Sequence, residues 1–244
     1  MRASREAVFL WAVMRKGSLA DVLFPLLAAM AATAVLGLAG ADLAVQALFY
    51  EPGAGWFMGD RDPWAFLYHF GNIPALALGA MGAAVFILSF FVGRLRPDRA
   101  AALFIVAFLA LGPGLVVNTV FKDNWGRPRP ADIVQFGGKE VYRPVWSAGE
   151  PKLGRSFPSG HAAVGFFLMA PYFVLRRRAP AWARKALAVG IVYGMLMGLA
   201  RMIQGGHYLT DVIWSGVLVY LTGIVLYYLF RLDRYGQPER PPTR

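Results

Sequence analysis

The stretch Val212-Ile-Trp-Ser-Gly-Val-Leu-Val-Tyr-Leu-Thr-Gly-Ile-Val-Leu-Tyr-Tyr-Leu-Phe230 runs for 19 residues without a charge. That is close to the roughly 20 apolar residues a helix needs to cross a bilayer. Charges are also almost absent from 22–40, 70–93, 101–121, 162–175 and 186–200. The last two are short for a crossing unless their polar flanks extend them. Hydrophobic residues make up 57% of the chain and the mean hydropathy is +0.48, which excludes the ordinary soluble class. The apolar runs lack strict alternation, so helices rather than a membrane barrel satisfy their backbone. The expected fold is all-α: a polytopic membrane protein with six transmembrane helices over 22–230. Residues 1–21 precede it, with Val8, Phe9, Leu10, Trp11 and Val13 between basic flanks, as an interfacial amphipathic helix or a plain tail. Residues 231–244 are expected to be a disordered polar tail.

Charge orients the spans. The net charge is +11, which in a soluble chain would suggest nucleic acid. Here segments 1–21, 94–100, 176–185 and 231–244 hold 16 of the 25 Lys and Arg residues and only five of the 14 acids. The segments on the other side hold nine of each. The whole excess therefore lies on one face, and the positive-inside rule makes that face cytoplasmic, with both termini inside. A bilayer partner, and no nucleic acid, is the reading. No protein partner is implied. Cysteine is absent, so neither disulfides nor thiol chemistry contribute.

The segments assigned to the external face carry the unusual side chains. Lys122-Asp-Asn-Trp-Gly-Arg-Pro-Arg-Pro130 follows span 3, Pro158-Ser-Gly-His161 precedes span 4, and Arg201-Met-Ile-Gln-Gly-Gly-His-Tyr-Leu-Thr-Asp211 joins spans 5 and 6. An even number of crossings brings all three to one membrane level. Lys122, Arg129 and Arg201 are three cations suited to the oxygens of a phosphoryl group, the arginines by a planar fork and the lysine as a point charge. Pro128 and Pro130 stiffen the chain on either side of Arg129. Ser159 is placed to cap the helix that starts near Ala162, and Gly160 leaves its backbone open to an anion. His207 and Asp211 are four apart, so on a helical turn the carboxylate can orient the imidazole as a nucleophile. Arg127, Lys139, Arg143, Lys152 and Arg155 read equally well as a basic cluster facing lipid headgroups. The remaining histidine, His69, reads as an interface residue. No Cys or His spacing suggests zinc, so chemistry without a metal or other cofactor is expected.

Together the motifs resemble the signature of the PAP2 phosphatase superfamily at Lys122, Arg129 and Pro130, at Pro158 to His161, and at Arg201, His207 and Asp211. One departure is Ala200, where the family usually has serine. The resemblance implies that His207 attacks phosphorus to give a phosphohistidine and that His161 protonates the leaving oxygen. Asp211 would support His207, while Lys122, Arg129, Ser159, Gly160 and Arg201 hold the phosphate. It implies a phosphorylated membrane lipid as substrate and a bacterial inner membrane location with the site facing the periplasm. The run Gly126-Arg-Pro-Arg-Pro130 with Phe136-Gly-Gly138 resembles branches acting on envelope lipids, including lipid A phosphatases. Phosphatidylglycerophosphate, undecaprenyl pyrophosphate and phosphatidate are rival substrates. A phosphotransferase with a lipid hydroxyl as acceptor stays open, as does a non-catalytic protein binding anions or lipids. Specificity is expected from the loop 132–155.

Overall fold

The computed structural model describes residues 16–234. The expected amphipathic segment lies almost wholly outside the described residues, as do the last ten residues of the tail.

Among the described residues the fold is helical, with three isolated bridges between extended segments. Helix α1 spans Lys16–Leu38 and the short α2 spans Ala41–Ala47. Helices α3 (Trp64–Phe70) and α4 (Ile73–Leu88) form one apolar rod interrupted at Gly71 and Asn72. Helix α5 (Arg99–Leu109) continues into a run of wide π-helical turns, Ala110–Phe121. Helices α6 (Gly160–Phe166) and α7 (Ala170–Leu175) are joined by a single tight turn. Helix α8 spans Pro180–Ile203 and α9 spans Leu209–Leu229.

Five rods are long and apolar enough to cross a membrane: Leu19–Leu38, Trp64–Leu88, Gly93–Phe121, Pro180–Ile203 and Leu209–Leu229. The short run at 186–200 is thus extended by its flanks to 24 residues. Arg184 and Lys185 sit in its first turns, where long basic side chains can reach back to the interface. The fourth rod, Gly160–Leu175, is shorter. Only 11% of the apolar window of α1 is buried within the fold, and Phe24, Leu38 and Phe91 stand well exposed. Such a surface needs lipid against it.

The core lies where the rods meet. Phe108 packs on Phe167 and Phe173, with ring centroids 5.4 and 5.6 Å apart. Helices α6 and α8 approach closely because a Cβ on Gly165 would lie 2.9 Å from the Cα of Gly194, the small-residue contact usual between membrane helices. Polar ties mark the two poles. At one, Arg176 and the Tyr228 hydroxyl both donate to Asp21, at 2.7 and 2.6 Å, and Arg99 donates to the Ser89 carbonyl at 2.7 Å. At the other, the ends of α1, α5 and α8 meet the starts of α3, α6 and α9, and all three motifs gather there.

Candidate active site

The loop between α5 and α6 enters this pole from the π-helical turns that follow α5. Pro113 lacks an amide hydrogen and breaks the regular ladder. The Asn118 side chain donates to its carbonyl at 2.7 Å, and Lys122 N–H reaches back five residues to Val117 O at 3.0 Å. Wide turns of this kind commonly mark functional positions. Here they direct Asn118 and Lys122 at α6: a Cβ on Gly160 would stand 2.5 Å from Asn118 Oδ1 and 3.3 Å from Lys122 Nζ. Any side chain here would have to push the ends of both aside. Ser159 has extended backbone and its Oγ accepts from Ala162 N–H at 3.4 Å, so it caps α6 as expected.

Beyond Lys122 the Trp125 indole donates to Val145 O at 2.9 Å, anchoring the loop. Gly126, at φ +67°, lets the chain pass the Glu150 carbonyl, which a Cβ would meet at 2.2 Å. Arg127 is buried, and Arg129, extended in its backbone, lies beside the Lys122 and Arg201 cations.

Arg127 is fully buried. Its Nη2 lies 2.7 Å from Asp42 Oδ2 and its Nη1 2.5 Å from Asp211 Oδ1. It also donates to Thr210 Oγ1 at 3.0 Å and to Arg143 O at 2.9 Å, and its guanidinium carbon sits 4.1 Å from the Tyr208 ring centroid. The reading of Arg127 as a headgroup-facing cation is therefore wrong: its rigid fork makes four hydrogen bonds to acceptors inside the fold. Asp42 completes the cluster by accepting from Thr210 N–H at 3.0 Å and Thr210 Oγ1 at 2.6 Å. Arg155 does remain exposed, paired with Asp123 at 2.9 Å.

His207 is buried beside this cluster, but not in the expected arrangement. The helical face assumed for residues 207 and 211 does not form, because Tyr208 is extended and α9 begins at Leu209. Asp211 caps that helix, accepting from Tyr208 N–H at 2.9 Å. Its carboxylate stays 3.9 Å from His207 Nδ1, beyond a hydrogen bond. The nitrogen instead donates to the Ser156 carbonyl at 2.5 Å, while the Ser156 hydroxyl donates to Asp211 Oδ2 at 2.6 Å. Ser156 thus links the two residues that were expected to touch. It is held there by its N–H, which donates to Arg127 O at 2.9 Å. A carbonyl only accepts, so Nδ1 carries the proton and Nε2 keeps its lone pair.

Electrostatics draws the other motif residues around this imidazole. Burial, and then the Lys122 and Arg201 cations with Arg129 nearby, holds the pKa of His207 well below the usual histidine value. It is neutral at pH 7. Burial followed by Arg129, Arg155 and Arg201 lowers the Lys122 ammonium to about 8. Lys122, Arg129 and Arg201 thus concentrate positive charge at one point, which only partly meets the carboxylate of Asp211 and suits an anion. The His161 ring stacks on Tyr68 with centroids 5.0 Å apart, and the Arg201 guanidinium carbon lies 4.6 Å from the same ring. Arg201 also donates to Gln204 Oε1, while its Nε is buried without a partner.

All eight residues singled out from the sequence thus lie at one pole, together with Tyr68, Asp42, Arg127 and Ser156, which sequence reasoning did not select. Only Arg127 carried a usable signal, its place inside the first motif two residues before Arg129. Asp42 and Tyr68 lie far from the motifs in sequence, and nothing local distinguishes them.

The PAP2 superfamily model matches residues 100–235. The chain is 35% identical over 200 residues, 80% of its length, to a protein named lipid A 4'-phosphatase from Francisella tularensis subsp. novicida (strain U112), of which it covers 88%. It is 37% identical over 121 residues, 48% of its length and 50% of the relative's, to one of the same name from Rhizobium leguminosarum. It is 31% identical over 158 residues to phosphatidylglycerophosphatase B of Haemophilus influenzae, covering 60% of this chain and 65% of that one. No solved structure matches it. Motifs, helical architecture and relatives agree: the chain belongs to the PAP2 superfamily.

Proposed function

We propose that the protein removes a phosphate from a bacterial envelope lipid at the periplasmic face of the inner membrane, through a covalent intermediate on His207. Family and relatives make it a phosphoric monoester hydrolase. The observation that carries the mechanism is the Ser156 carbonyl on His207 Nδ1, which leaves Nε2 as the free nucleophile amid Lys122, Arg129 and Arg201.

In the first step Nε2 forms a bond to phosphorus as the ester P–O bond breaks, and His161 gives its proton to the departing alcohol oxygen. In the second, His161 takes a proton from water, whose oxygen displaces Nε2 and yields inorganic phosphate. Lys122, Arg129 and Arg201 stabilise the equatorial oxygens throughout. Ser159 and Gly160 keep the wall beside them polar and open, and no metal takes part.

Lipid A bearing a 4'-phosphate is the favoured substrate, because the relative that this chain covers most fully is named for it. An apolar groove of about 750 Å³ lined by Met30, Phe121, Trp125, Trp146, Phe157 and Trp214 supports an amphiphile that enters sideways from lipid. The charge partition supports six crossings, with Gly160–Leu175 as the short fourth span, both termini cytoplasmic and the site outside.

The test is phosphate release from a panel of envelope lipids by wild type and His207→Ala in detergent with excess EDTA. Release by wild type alone, with an acid-labile phosphohistidine trapped on His207, is expected. Equal rates in the two proteins would overturn the nucleophile, loss with EDTA the metal-free chemistry, and a phosphorylated lipid product without free phosphate would indicate a transferase. Reporter fusions that placed 123–157 in the cytoplasm would overturn the orientation.

A further inference from the structure

Next to Arg201 lies a cavity of about 470 Å³ that the phosphate chemistry does not use. That volume falls within the range of about 300–1,000 Å³ typical of small-molecule sites. Trp56, Asp60, Tyr68, His69 and Gln204 line it together with Arg201. Two of these, Tyr68 and Arg201, also bound the phosphate site: Tyr68 stacks on His161 and carries Arg201 over its face. The cavity therefore adjoins the place where a phosphate held by Arg201 would sit, and is open to the alcohol portion of the same ester.

The lining specifies the kind of alcohol. The apolar groove near Phe157 suits hydrocarbon, whereas this cavity sets the Trp56 indole beside a carboxylate, an imidazole and an amide. A pyranose ring presents the complement, one face of C–H groups for an aromatic ring and a rim of hydroxyl or amino groups for polar side chains. A glycerol backbone has no such ring face. The walls are also preformed. Trp56 is held by Tyr50 and Phe136, each with its centroid 5.4 Å away, and rests on Gly205, where a Cβ would lie 2.3 Å from the indole. Gln204 is fixed by its donation to Gly59 O at 3.0 Å. Asp60 and His69 are exposed at the opening.

We infer that this cavity is a sugar subsite, which takes the hexopyranose ring whose hydroxyl carries the scissile phosphate, with Trp56 as its ring-stacking wall and Asp60 and His69 as its polar rim. The inference rests on the hydrolase reading above. It turns substrate choice into a property of the 56–69 segment as well as of the loop 132–155.

The full-length protein in detergent should be assayed on two monoesters that share the phosphate but not the ring, a phosphorylated glucosamine glycolipid and phosphatidate. Asp60→Ala and His69→Ala alter exposed side chains, so both should fold. Each is expected to lower kcat/KM for the glycolipid by about tenfold more than for phosphatidate, because a site that hydrogen-bonds its substrate discriminates through those bonds. The phosphate-free glycolipid should compete with substrate in wild type, with an inhibition constant raised about tenfold in Asp60→Ala. Equal effects on both substrates, or no competition by the phosphate-free glycolipid, would overturn the sugar subsite and leave the phosphatase standing. Failure of wild type to release phosphate from either lipid would overturn the hydrolase reading itself, and the subsite with it.

Discussion

Arg127 and Asp211 form a fully buried ion pair, with Nη1 2.5 Å from Oδ1, and through Ser156 that pair bears on the imidazole of His207. The second carboxylate on the same guanidinium, Asp42, ties in the segment that follows α1. Residues from four separate parts of the chain thereby converge around His207. Removing one partner of such a cluster leaves the others charged and desolvated.

Arg127→Ala is accordingly expected to destabilise the fold by about 3–5 kcal/mol, the usual cost of stranding a buried charge. Arg127→Lys keeps the charge but cannot grip Asp42 and Asp211 with one planar fork, so its loss should be intermediate. Thermal unfolding of both variants in one detergent checks the order. A melting temperature for Arg127→Ala equal to wild type would contradict the buried cluster.

If Asp211 acts on His207 through Ser156, the two side chains form one unit. Ser156→Ala should lower kcat by about tenfold, consistent with the loss of a hydrogen bond to a charged group. Asp211→Asn should lower it further, and the double variant should be no slower than Asp211→Asn alone. Multiplicative losses would mean that the two act independently.

Lys122 sets an alkaline limit. Its ammonium is lowered to about 8 by burial and by Arg129, Arg155 and Arg201, so the free enzyme loses this cation as pH rises through about 8. The profile of kcat/KM should fall above that point, and Lys122→Arg should move the fall to higher pH. Stability responds in the opposite sense. Between pH 8 and the ordinary lysine value of 10.5 the unfolded chain binds more protons at this position, so its contribution to stability rises with pH across that window. Because His207 titrates well below the usual histidine value, it should produce no acid limb near pH 6.5.

Gly160→Ala probes the narrowest contact. The added methyl would meet Asn118 Oδ1 at 2.5 Å and press on Lys122 Nζ at 3.3 Å. Displacing one preformed donor should lower kcat/KM by about 10²-fold, and Tm much less. Parallel rate and Tm measurements separate the two effects; a rate within twofold of wild type would remove Gly160 from the phosphate site.

The sequence was most legible where physics is periodic or excluded by cost. Charge-free runs marked the long rods because a membrane tolerates few ions, and the three motifs, expected at one level from an even number of crossings, do meet at one pole of the fold. Boundaries were less legible. Helix α8 starts at Pro180, ahead of the charge-free run, since Arg184 and Lys185 are compatible with its flank. The pairing of His207 with Asp211 failed because one extended residue, Tyr208, removed the helical spacing on which it depended. Asp42 could not be anticipated, since its importance comes from Arg127, 85 positions away.

The loop between α5 and α6 carries Lys122 and Arg129, the cations proposed to hold phosphate, and, in Ser156, the carbonyl that decides which nitrogen of His207 is free. Loop and catalyst are not separate modules. An exchange of residues 123–157 between relatives, made to alter the preferred lipid, would also replace the element that sets the tautomer of the attacking histidine. Only a loop preserving the pairing of residues 127 and 156 would transfer specificity and leave the enzyme competent, which constrains how this surface can diversify.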